Sequence, residues 1–142
     1  MTDDHMVPAA EAAGTRRKSE SQLDHVALVV ASLDRSAAFY SGLLGLDILH
    51  QVQLSDHTLQ YLASGTEVLL ELIQYDEPRP HTTGEGAHHL AWNVGDAAAV
   101  EAKVEALGGR LLASCRYVPE LDFISMMAED PDGFLVEVVQ RS

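Results

Sequence analysis

The sequence predicts an α+β fold of two tandem βαβββ modules, and three observations predict it. Apolar runs of strand length and two helical stretches occur in the same order twice along the chain. A segment rich in proline and glycine, with no apolar residue, divides the halves. Laid over each other, the halves match residue by residue, as expected of a duplicated supersecondary unit.

Residues 1–21 mix Ala, Gly, Ser and charges without periodicity and read as a disordered leader. The remainder, 22–142, reads as a single domain, with module one over 23–75, a linker over 76–86 and module two over 87–140. LDHVALVV (23–30) is a short, β-branched strand. Ser32 then offers a helix N-cap, and Ala37, Ala38, Tyr40, Leu43 and Leu44 recur at helical spacing until Gly45. Strands follow at 46–54, 57–64 and 67–75, the last two joined by a Ser64-Gly65-Thr66 turn. The pattern then restarts. AHHLAWNV (87–94) is a strand, Asp96 caps a helix over 97–109 that ends on a glycine pair, and strands follow at 111–118, 122–129 and 134–140, with an Asp130-Pro131-Asp132-Gly133 turn before the last.

In the overlay, DHVALVV (24–30) matches HHLAWNV (88–94), and VLLELIQ (68–74) matches FLVEVVQ (134–140). The register pairs His25 with His89 and Glu71 with Glu137, and the His-to-Glu intervals are 46 and 48 residues. Each half thus carries a His on its first strand and a Glu within its last. A carboxylate inside an apolar strand is costly unless it is paired, protonated or bound to a metal. Two of them at equivalent positions, each matched by an imidazole, suit a divalent transition metal: Zn, Ni, Co, Mn or Fe. Register against His25 selects His89 over His88, which alternation sends to the opposite face.

Composition narrows the function classes. Lys+Arg total 9 against Asp+Glu 22, for a net charge of −13, which repels phosphate backbones and anionic lipid. No apolar run approaches the ~20 residues that span a bilayer. The single cysteine, Cys115, builds neither an internal disulfide nor a thiolate zinc site and reads as buried packing. The expectation is a cytoplasmic protein with a small-molecule substrate and neither nucleic acid nor membrane as partner. Trp92, Phe123, Met126, Tyr61 and Tyr117 are available to core or pocket.

The segments LDHVALVVASLDRSAAFYSGLLGL, LLELI, GAHHLAWNV and DPDGFLVEVV, in this order and with the repeat, resemble the glyoxalase/vicinal-oxygen-chelate superfamily over residues 23–140. The resemblance implies paired modules forming an open, cup-shaped mixed-sheet barrel around one metal, with His25, Glu71, His89 and Glu137 as ligands. It implies a lyase, isomerase or epimerase that chelates a small oxygen-bearing substrate and works through an enediolate, and a homodimer is expected. Glu137 is the first candidate for the proton-moving base. Similarity to methylmalonyl-CoA epimerase makes Asp56 the second, with His57 beside it. Glu71 and the 18-residue step to His89 resemble bacterial glyoxalase I. Yet Val29 stands where that enzyme carries an Arg for glutathione, and Tyr75 where it carries an Asn. An Fe(II) dioxygenase of the same fold and a non-catalytic binding or resistance protein are the alternatives.

Overall fold

In the computed structural model the described residues are 24–78 and 88–141. The expected leader and most of the linker lie outside them. Module one runs β1 (Val26–Val29), α1 (Leu33–Leu44), β2 (Asp47–Gln53), β3 (His57–Ser64) and β4 (Glu67–Tyr75). Module two runs β5 (Leu90–Asn93), α2 (Ala97–Glu101), β6 (Arg110–Val118), β7 (Phe123–Glu129) and β8 (Leu135–Arg141). Both modules are βαβββ. Each forms a four-stranded mixed sheet, ordered β1-β4-β3-β2 and β5-β8-β7-β6, in which only the β1–β4 and β5–β8 pairings are parallel. No closed barrel forms among the described residues.

Local chemistry sets the helix ends. The Ser32 hydroxyl accepts the Arg35 amide and Asp96 accepts the Ala99 amide, both from extended N-cap backbone. Gly45 terminates α1 in the left-handed region at φ 71°, donating its N–H to the Ser41 carbonyl. A second hook repeats in both halves. Gln74 Oε1 accepts the Leu33 amide and Gln140 Oε1 accepts the Ala97 amide, each at 2.8 Å. Each module's last strand thereby holds the first residue of its helix. The second helix is shorter than the expected 97–109. After Glu101 the chain tightens into three-residue turns, such as Val104 N–H to the Glu101 carbonyl and Gly108 N–H to the Glu105 carbonyl.

One core runs through both modules. Leu28, Leu43, Leu62, Leu70 and Leu72 from the first meet Val104, Met126, Val136 and Val138 from the second. Each large apolar side chain buried there contributes about 1.5–3 kcal/mol. The junction centres on α1 and the 130–134 turn. Tyr40 Oη donates to Asp130 Oδ2 at 2.7 Å, and Asp130 Oδ1 accepts the amides of Asp132 and Phe134. Asp132 in turn accepts from the Ala31 amide, the Ser36 hydroxyl and the Arg35 guanidinium. Met126 belongs to this core, and half-buried Trp92 packs against it beside Tyr40.

The outer strands are uncovered. Ile48, Leu49 and Leu54 on and after β2, and Leu112, Tyr117 and Leu121 on and after β6, are exposed apolar or aromatic residues at corresponding places in the two sheets.

Candidate metal centre

His25 and His89 each stand one residue before their strand rather than on it. The parallel ladders then bring each to its carboxylate: Ala27 pairs with Glu71 across β1–β4, and Ala91 pairs with Glu137 across β5–β8. His25 Nε2 lies 3.6 Å from Glu71 Oε2, and His89 Nε2 lies 3.1 Å from Glu137 Oε1. The carboxylate side chains are only 14% and 16% exposed, against 31% and 32% for the rings. A carboxylate this sheltered needs partners, and each has two. Tyr61, opposite Glu71 in the β3–β4 register, donates its phenol to Glu71, and that bond pushes the phenol pKa above its usual range. Ser125 Oγ donates to Glu137 Oε2 at 2.7 Å.

The rings are held from behind. His25 Nδ1 lies 2.6 Å from Asp24 Oδ2, and His89 Nδ1 lies 2.9 Å from Nδ1 of His88. It is His89 that faces Glu137, while His88 backs it. Beside the first pair lies a cavity of about 430 Å³ lined by Asp24, His25, Tyr61, Thr66, Glu67, Val68 and Leu69.

Within the chain the structure joins His25 to Glu71 and His89 to Glu137, but it does not join the two pairs. Among the described residues no three His, Cys, Asp or Glu side chains gather as ligands at one point. Asp56 is brought to neither pair. It sits at the tip of the β2–β3 hairpin, 2.6 Å from His57 Nδ1. His57 is paired with Tyr75, four residues beyond Glu71 on β4 and hence about 13 Å along the strand. Of the aromatic residues noted in the sequence, Tyr61 reaches the site, Tyr117 hydrogen bonds Asp122, and Phe123 lies beneath Arg141. Cys115 is half-buried, its thiol pushed up to about 11 by burial and then by Glu101, which also accepts its amide. That thiol is protonated and unreactive at neutral pH.

Asp24, Tyr61, Ser125 and His88 were not legible in the sequence as supports of these His and Glu side chains. Only the overlay of Asp24-His25 on His88-His89 hinted at the ring partners.

The family model described as Glyoxalase/Bleomycin resistance protein/Dioxygenase superfamily matches residues 22–138. The chain belongs to that superfamily. Among its curated members, a Synechocystis protein named probable lactoylglutathione lyase is 27% identical, over 83% of this chain and 94% of its own length. The lactoylglutathione lyase of Haemophilus influenzae is 30% identical, over 84% and 93%. The crystal structure of glyoxalase I from Zea mays superposes with a TM-score of 0.76 at 24% identity, covering 85% of this chain and 45% of the maize chain. The chain thus spans less than half of that plant protein, and the likeness to it is one of fold.

Proposed function

We propose that the protein is a metal-dependent lyase or isomerase that chelates a small oxygen-bearing substrate, with His25, Glu71, His89 and Glu137 as metal ligands. The observation that carries this reading is the duplication of one geometry: a His before the first strand set against a sheltered Glu in the last, in both modules. The donor set fits a divalent transition metal, since both rings turn Nε2 toward the carboxylate and have Nδ1 occupied behind. Bound there, such a metal polarises a substrate oxygen and acidifies the adjacent C–H.

Each module supplies two ligands, on its own sheet. A four-ligand centre therefore needs the first sheet of one copy to face the second sheet of another, which would also cover the apolar residues left open on β2 and β6. The working unit in this reading is a homodimer with His25 and Glu71 from one chain and His89 and Glu137 of the partner subunit at each centre. The chain's own groups divide the remaining work. Glu137 is the base that takes the proton from carbon and returns it. Ser125 retains Glu137 through Oε2, leaving Oε1 turned toward His89. Tyr61 fixes Glu71.

The relatives are named for lactoylglutathione. Here Val29 and Tyr75, at the positions implied for holding glutathione, line one cavity of about 130 Å³ with Asp76 and Pro78, and no described cation lines it. Carboxylates of glutathione find no partner there. The substrates proposed are small α-hydroxy or α-keto compounds. Metal analysis by mass spectrometry after reconstitution tests the reading. Stoichiometric metal is expected in the wild type and reduced occupancy in Glu71→Gln and His89→Ala. A wild type that takes up no metal overturns it, and iron uptake with O₂ consumption would replace it with a dioxygenase.

A further inference from the structure

The four ligands repeat between the modules, but the groups behind them do not. Behind His25 stands a carboxylate, Asp24, at 2.6 Å; behind His89 stands a second imidazole, His88, at 2.9 Å. The overlay puts Asp24 and His88 at the same place in the repeat. On the carboxylate side, Tyr61 faces Glu71 in register where Met127 faces Glu137. Glu137 is served instead by Ser125.

This asymmetry has a chemical consequence. A histidine that offers Nε2 to a metal carries its proton on Nδ1 and needs an acceptor for it. Asp24 accepts that N–H as an anion, in a bond stronger than one between neutral groups though screened by solvent, since its carboxylate is 91% exposed. The charge also makes the His25 ring a better donor. Among the described residues, His88 stands behind His89. That bond exists only when His88 is neutral and holds its own proton on Nε2, leaving Nδ1 to accept. We propose that Asp24 is a positioning residue that makes His25 and the first module the anchoring half of the centre, while the neutral His88 leaves the second module as the looser half. The looser half is the one that contains Glu137, the carboxylate assigned to move a proton.

The inference rests on the metal reading above, and one experiment separates the two. Apo protein is titrated with Zn²⁺ by calorimetry and with Co²⁺ by visible absorption, for the wild type, Asp24→Ala, Asp24→Asn and His88→Ala. Melting temperatures of the apo forms are recorded in parallel. The expected result is affinity about 10–100-fold lower in Asp24→Ala. Asp24→Asn recovers only part of it, because the amide oxygen accepts the same N–H without the charge. His88→Ala loses less than about threefold, the neutral bond being the weaker. The Co²⁺ band of Asp24→Ala shifts while its apo melting temperature stays near that of the wild type. Wild-type affinity in Asp24→Ala, or a loss in His88→Ala as large as that in Asp24→Ala, overturns the inference. A wild type without metal affinity overturns the metal reading itself. If Asp24→Ala does not fold, Asp24→Asn carries the comparison: a partial loss larger than that of His88→Ala supports the anchoring role, and wild-type affinity contradicts it.

Discussion

Asp130 is a buried carboxylate with three hydrogen bonds, and it shows how one residue ties the two modules together. Burial raises its pKa above the ordinary 3.8, while the bond from Tyr40 pulls the other way. The protonated form is thus the better-accommodated one. The stability it contributes is full below 3.8 and is lost as pH rises through the raised folded value. Tyr40 is itself pushed far above the usual phenol range, chiefly by burial and then by Asp130, so it is a neutral donor at any working pH. Removing that donor with Tyr40→Phe leaves a buried charged oxygen short of a partner. The expected cost is about 1–3 kcal/mol at neutral pH, and smaller in acid once Asp130 is protonated. Urea denaturation at the two pH values checks this, and an equal loss at both would show that the hydroxyl does not serve the ionised carboxylate. The two His–Glu pairs were readable in the sequence because a charged group inside VLLELI or FLVEVV violates the strand pattern twice at one register. The supporting residues were not. Ser125 and Tyr61 are ordinary strand residues until the register shows which carboxylate each meets, and His88 looked like the unused neighbour of His89.

At the scale of elements, strands and caps were legible because they follow from local rules: period-two apolar runs, Ser32 and Asp96 as N-caps, and Gly45 at a left-handed position. The end of α2 was not. Its glycine pair reads as a stop for a full helix, whereas the chain tightens into three-residue turns after Glu101 and reserves the pair for two other purposes. Gly108 supplies a left-handed turn at φ 96°, and Gly109 supplies space. A Cβ on Gly109 would sit 2.6 Å from Phe39 Cε1 and 2.7 Å from the Glu129 carbonyl oxygen, the second of which is backbone. Phe39 is fully buried on α1, so the clash falls at the junction between the modules. Gly109→Ala should therefore destabilise by about 1–3 kcal/mol through overpacking. Gly45→Ala meets open space and should cost only about 1 kcal/mol, from its backbone conformation. Thermal melts of the two variants check the order, and a milder effect at Gly109 would mean that Phe39 and β7 give way easily.

For the whole molecule, the repeat carried the fold further than the site. Two modules with the same strand order were foreseeable from the doubled pattern. How they face each other was not, because nothing local encodes that α1 docks on the 130–134 turn. That docking gives one chain a shared core with each His–Glu pair confined to its own sheet, and it leaves the apolar residues of β2 and β6 without cover. The proposed homodimer would explain both features at once. The acidic surface, at −13 per chain, sets the ionic conditions for assembly: self-repulsion weakens as salt screens it, so association should be stronger at moderate than at very low ionic strength. The most direct measurement uses two variants that each lack one half of the centre. His25→Ala/Glu71→Gln and His89→Ala/Glu137→Gln, differently tagged, are unfolded together, refolded, and purified through both tags, and bound metal is counted. Either homodimer should hold none. The mixed dimer should regain one intact centre and bind one metal ion per pair of chains, while a mixed dimer as empty as its parents would contradict a four-residue centre shared between copies.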